Sequence, residues 1–68
     1  MVTIDVRLKL AFTEVLAGII LAFEGVVSVE QSGEKGCVVN VKEEFSKRVL
    51  KRINELPSVE AAEIAQRE

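Results

Sequence analysis

The chain repeats itself at an interval of 33 residues, and this repeat limits the possible folds more than any other feature of the sequence. Shifting the chain by 33 positions places Phe12 on Phe45 and Ile20 on Ile53. The other matched pairs are Lys9 with Lys42, Thr13 with Ser46, Leu16 with Val49, Phe23 with Leu56 and Val26 with Val59. Two copies of one strand and helix unit are therefore predicted, although any two amphipathic units of equal length would share part of this match.

Each unit opens with a strand. Residues 3–10, TIDVRLKL, alternate strictly between apolar and polar side chains, and a period of two is typical of a strand with one buried face. The side chains predicted to point inward are Ile4, Val6, Leu8 and Leu10. The repeat places Cys37 on Ile4, so residues 37–42 are predicted to form the matching strand, with Cys37 a buried and unreactive thiol.

The first helix is predicted at about 13–24. Thr13 is expected to be its N-cap, with Glu14 favourably placed in the first turn against the helix dipole. Gly25 follows at the position where a left-handed C-terminal residue is wanted.

The remaining elements complete the pattern. Ser46 is expected to cap a second helix at 46–56, and Pro57 is expected to stop it. The other predicted elements are a strand at 26–30, a hairpin loop at 31–36 and a last strand at 59–65. This βαββαβ order predicts one α+β domain, residues 1–68, with the ferredoxin-like fold: a four-stranded antiparallel sheet of order 4-1-3-2 with both helices on one face.

The repeat also divides the first helix into two faces. Its inward face is predicted to consist of Leu16, Ala17, Ile20 and Phe23. In the second helix the outward positions are polar, namely Arg48, Lys51, Arg52, Asn54 and Glu55. In the first helix every counterpart is apolar or glycine, namely Val15, Gly18, Ile19, Leu21 and Ala22. Part of this outward face is expected to lie against the second helix, and the remainder is the stripe Val15, Gly18, Ile19 and Ala22.

We predict this stripe to be an interface. Leaving Val15 and Ile19 in water forgoes about 1.5 to 3 kcal/mol for each, in a chain too short to build a large core. Gly18 costs roughly 1 kcal/mol relative to alanine in a helix, and with Ala22 it would let another helix approach closely. A second copy of the chain, giving a homo-oligomer, is the simplest occupant. The alternatives are a helix wedged wholly inside the core, a lipid surface, and the rest of a larger protein.

The composition excludes most active-site chemistry. The chain has no histidine and one cysteine, so an internal disulfide, a histidine and cysteine metal site and the usual nucleophile and base pairs cannot form. We therefore predict a non-enzymatic protein without a metal or a cofactor.

The charge pattern argues against nucleic acid and membrane as partners. The net charge is -2, glutamates surround the basic residues of the second helix, and the predicted open sheet face has no aromatic side chain on which bases could stack. The longest apolar run is far shorter than the roughly 20 residues that span a bilayer. With no readable signal peptide, we predict a cytoplasmic protein, and its few amides and many charged residues would suit a heat-loving source.

Two known families resemble this sequence. The strand IDVRLKL, the segment EVLAGIILAFEGVVSVE and the closing INELPSVEAAEI resemble an ACT domain, a small regulatory module that pairs with copies of itself and binds amino acids at the interface. The segment FEGVVSVE resembles heavy-metal-associated copper chaperones. Those chaperones carry a Cys-x-x-Cys pair before the first helix, where this chain reads LAFTEVL, so soft-metal ligands are absent.

The resemblance to ACT domains implies a regulatory module that acts by self-association. A small ligand would then lie between the subunits near Phe12, Thr13 and Glu14, although the loop LAFTE has no glycine of the kind that ACT domains commonly use to admit a ligand. The alternative function is that of a chaperone or adaptor, with the apolar face of the first helix holding a partner protein or peptide.

Overall fold

The strands and helices follow one another along the chain in the predicted βαββαβ order. The structure, a computed structural model, describes residues 1–67. The strands are β1 (Val2–Leu8), β2 (Val26–Gln31), β3 (Gly36–Val41) and β4 (Val59–Arg67). The helices are α1 (Glu14–Leu21) and α2 (Ser46–Asn54), and a single 3₁₀ turn, Glu43–Phe45, precedes α2.

The four strands form one antiparallel sheet, and the order across it is β2-β3-β1-β4. Read from the β4 edge, this order is 4-1-3-2. The central strand β1 pairs with β3 on one side and with β4 on the other. The protein is therefore a small α+β structure, consistent with the ferredoxin-like arrangement.

Both helices cover the same face of the sheet. One core lies between the sheet and the helices. In it, alternate residues of β1 and β3 pack against helix residues that are three or four positions apart. The buried members of this core are Val2, Ile4, Val6, Leu8, Leu16, Ile20, Cys37, Val39, Val41, Val49, Ile53 and Val59. In the described part of the chain, the other face of the sheet has no helix over it.

The prediction that Leu10 points into the core was wrong. The sequence continues to alternate as far as Leu10, but β1 ends at Leu8 and the side chain of Leu10 is 67% exposed. The amide of Lys9 donates a hydrogen bond to the carbonyl of Ser58, and the chain then leaves the sheet. The alternation of apolar and polar residues in the sequence therefore extends one apolar residue beyond the end of the strand.

The prediction that Ser46 caps the second helix was also wrong. The 3₁₀ turn Glu43–Phe45 runs directly into α2, so Ser46 is the first helical residue and Phe45 occupies the N-cap position. The Ser46 hydroxyl donates a 2.8 Å hydrogen bond to the carbonyl of Glu43. The buried Ser46 side chain is thereby satisfied, but it closes the 3₁₀ turn and does not accept from the helix.

The first helix is shorter than the predicted 13–24, because it ends at Leu21 with Ala22 as its C-cap. Gly25 lies farther along, with φ of +93°. Its carbonyl accepts a 2.9 Å hydrogen bond from the amide of Lys42. This glycine thus joins the segment after α1 to the segment that leads into α2.

Each of the two edge strands, β2 and β4, has a feature that hinders pairing with a further strand. In β2, Val27 lies at an irregularity in the pairing with β3 and its side chain is exposed. On β4, the side chain of Asn54 accepts from the amide of Ala62 at 2.9 Å and donates to its carbonyl at 3.2 Å. Asn54 also donates to the carbonyl of Leu50, so it fastens the end of α2 to the free edge of β4.

Candidate interaction surface

The start of α1 is stabilised by a side-chain cap. The amide of Leu16 donates a 3.2 Å hydrogen bond to Oγ1 of Thr13, as the sequence predicts. Glu14 lies in the first turn, where its negative charge interacts favourably with the helix dipole. Of the predicted inward residues, Leu16 and Ile20 are buried, and Ala17 and Phe23 are half-buried.

The opposite face of α1 is apolar and exposed. Val15 is 74% exposed and Ile19 is 44% exposed, while Gly18 and Ala22 between and beside them are also exposed. The structure thus brings the four predicted interface residues onto one accessible face. No ionisable residue occurs between Glu14 and Glu24, so the whole face is neutral.

Exposed apolar side chains are concentrated at this helix. Residues 1–67 contain six large apolar side chains that are exposed, namely Met1, Leu10, Val15, Ile19, Leu21 and Val27. Three of the six lie on the eight residues of α1. Single exposed apolar residues are ordinary on a protein surface, whereas a group of them on one element indicates a contact surface.

Leu21 is also exposed, but it lies at the edge of this surface, three residues after Gly18 and on the other side of α1 from Ile19. The repeat predicted that part of the outward face would lie against the second helix. The side chain of Leu21 is 48% exposed. In the structure α1 packs mainly over β2, and α2 packs mainly over β4. The repeat aligns the two helices with each other, but it carries no information on the separation between them. The exposure of Leu21 could not be obtained from it.

Gly18 has no role within the fold that its backbone or surroundings explain. Its φ is not positive, and a Cβ atom added to it would meet nothing within 4 Å. A glycine inside a helix is unfavourable by roughly 1 kcal/mol relative to alanine. Within the described residues, therefore, nothing offsets the conformational cost of this glycine.

The residues expected near a ligand, Phe12, Thr13 and Glu14, are largely occupied by structural roles. The amide of Phe12 donates to the carbonyl of Glu34, and its side chain packs against the core. The Thr13 hydroxyl accepts the capping hydrogen bond. Two surface depressions, one on the open sheet face and one beside α2, contain none of these three residues.

Cys37 lies on the inward face of β3 and is buried. Burial, and to a smaller extent the nearby charge of Asp5, raises the pKa of its thiol from 9.0 to about 11. A thiol with so high a pKa is a poor nucleophile near neutral pH, because the thiolate is the reactive form.

The basic residues of α2 lie on the outer surface of the molecule. Lys47, Arg48, Lys51 and Arg52 are exposed. The guanidinium of Arg52 lies 5.6 Å from the centre of the Phe23 ring, a distance at which a cation and an aromatic face attract each other. This contact links α2 to the segment that directly follows α1.

No family model matches the chain, and neither a curated protein nor a solved structure with significant similarity was found. Among residues 1–67, no helix is long and apolar enough to cross a membrane.

Proposed function

We propose that the protein is a small non-enzymatic interaction module that self-associates through the outer face of α1. The observation that carries the proposal is the neutral, exposed face formed by Val15, Gly18, Ile19 and Ala22, with the exposed Leu21 at its edge. Burying Val15 and Ile19 would contribute about 1.5 to 3 kcal/mol for each side chain at full burial. A regulatory role like that of ACT domains would be exerted through this association.

A second copy suits this face better than an unrelated partner of high charge. Because the face has no ionisable residue between its two flanking glutamates, two copies can meet at its centre without opposing like charges. Gly18 is three residues from both Val15 and Leu21, so it lies between these two larger side chains on the helix surface. Two such helices can approach closely at the glycines while their larger side chains interdigitate.

The size of the surface indicates a weak dimer. A stable interface commonly covers about 800 Å² on each partner, about a fifth of the 4384 Å² surface of this molecule. A helix of eight residues is only about 12 Å long, so α1 supplies the centre of such an interface and only part of its area. We therefore expect an equilibrium between monomer and dimer at micromolar concentrations.

Sedimentation and light scattering across the micromolar range test the proposal. We expect the average mass of the wild type to rise with concentration, and Val15→Glu and Ile19→Lys to remain monomeric. Val27→Lys is the matched control, because Val27 is exposed to a similar degree as Ile19 but lies on β2. A wild type that stays monomeric throughout contradicts self-association.

A monomeric wild type would favour the second candidate function, that of an adaptor. The same exposed face supports this candidate, because an apolar helix surface can also hold an amphipathic peptide. An apolar helical peptide should then bind the wild type and fail to bind Ile19→Lys. A ligand between the subunits is not part of our proposal, because the backbone of Phe12 and the hydroxyl of Thr13 are already engaged.

A further inference from the structure

The open face of the sheet contains a depression of about 390 Å³ at the end where the β2–β3 hairpin meets β1. Four charged residues line it, namely Asp5, Arg7, Lys35 and Glu63. It lies on the side of the sheet away from the helices. It is therefore separate from the α1 surface.

The floor of the depression is built from very small residues. Arg7 on β1 is paired in register with Gly36 on β3 and with Ala61 on β4. Gly36 cannot be enlarged without a shift, because an added Cβ would lie 2.7 Å from the carbonyl oxygen of Ser32. The Arg7 side chain consequently has no bulky neighbour in its own row of the sheet.

The four charges are sorted by sign across the depression. Asp5 and Glu63 face each other as register partners of β1 and β4, an arrangement that is unfavourable for two like charges. Arg7 occupies the next row on this face, and Lys35 lies beside it in the hairpin. None of the four side chains forms an ion pair with another described residue.

We propose that this depression binds a small zwitterion, with its carboxylate against Arg7 and Lys35 and its ammonium against Asp5 and Glu63. A lone anion or a lone cation would match only one of the two rows. Alternate residues on a strand are roughly 7 Å apart, so a ligand with well-separated charges fits better than an α-amino acid. The volume of the depression lies within the usual range for small-molecule sites.

Titration followed by the backbone amide signals in NMR tests the proposal. The probe is 5-aminopentanoate, and its controls are pentanoate and pentylamine, which each carry one of the two charges, and glycine, whose charges are close together. We expect saturable shifts at the amides of Arg7, Gly36 and Ala61. One exposed ion pair contributes up to about 1 kcal/mol, so the probe should bind about fivefold more tightly than either singly charged control.

Three variants assign the charges to their roles. Arg7→Gln should lower the affinity for 5-aminopentanoate toward that for pentylamine, and Glu63→Gln should lower it toward that for pentanoate. Lys51→Gln, on the outer surface of α2, should leave it unchanged. Because all three residues are exposed, we expect wild-type spectra from the free variants. Equal binding of the probe and its controls, no saturable shift, or an unchanged affinity in Arg7→Gln overturns the proposal.

Discussion

Gly25 has two independent reasons to be glycine. Its φ of +93° lies in the left-handed region, and an added Cβ would overlap the side chain of Phe45. Gly33 has only the first reason, because its φ is +75° but an added Cβ would meet nothing within 4 Å. A comparison of substitutions at the two glycines therefore separates the cost of backbone strain from the cost of steric overlap.

We predict that Gly25→Ala destabilises the fold more than Gly33→Ala. The backbone term costs about 1 to 2 kcal/mol at either position, and overlap with Phe45 adds about 1 to 3 kcal/mol at position 25 alone. Urea denaturation of both variants measures the difference. Equal losses of unfolding free energy would show that Phe45 moves aside without cost.

Cys37 should make stability depend on pH above neutrality. The pKa of the thiol is raised to about 11 in the folded protein, so the unfolded chain loses this proton first. The contribution of the protonated thiol is fully present below pH 9 and is lost as the pH rises toward 11. We expect the wild type to lose more unfolding free energy than Cys37→Ala over this window. Parallel pH profiles for the two proteins would contradict the prediction.

At the scale of the element, α1 is a weak helix held in place by the core and by one cap. It has eight residues with a glycine among them, and isolated helices of this length are not stable in water. Burial of Leu16 and Ile20 and the hydrogen bond to Thr13 fasten it to the fold. Gly18 weakens the helix and has no packing reason in the monomer.

We predict that Gly18→Ala has opposite effects on folding and on association. The unfolding free energy of the monomer should rise by about 1 kcal/mol, because alanine is the better helix former and the new methyl group meets nothing within 4 Å. The dimer should weaken, because the added methyl groups hold the two helices apart. Denaturation at low concentration and sedimentation at high concentration measure the two effects. A gain in both would mean that the helices do not cross at Gly18.

At the scale of the whole molecule, size limits stability. A domain of about 60 residues buries only about 60% of the surface of its unfolded chain, so association is a ready source of further stability. We predict that the melting temperature of the wild type rises with protein concentration. That of Ile19→Lys should not change. A melting temperature independent of concentration in both proteins would count against a dimer coupled to folding.

The type and order of the strands and helices, and most of the side chains that face the core, could be predicted from the sequence. Both properties depend on local periodicity, and for this reason Ile4, Val6, Leu16 and Ile20 could be assigned before the structure was known. The N-cap role of Thr13 could be predicted as well, because a cap needs only the three residues that follow it. The resulting α+β arrangement of four strands and two helices then has few alternatives.

Where the elements end and how far apart they lie could not be predicted from the sequence. Leu10 continues the alternation of β1, yet it is exposed because hydrogen bonds between the following loop and distant segments end the strand. Leu21 is exposed because α1 and α2 lie over different strands. The charged depression depends on the register that places Arg7 between Gly36 and Ala61. Each of these features arises from contacts between residues far apart in the chain, which a local pattern does not encode.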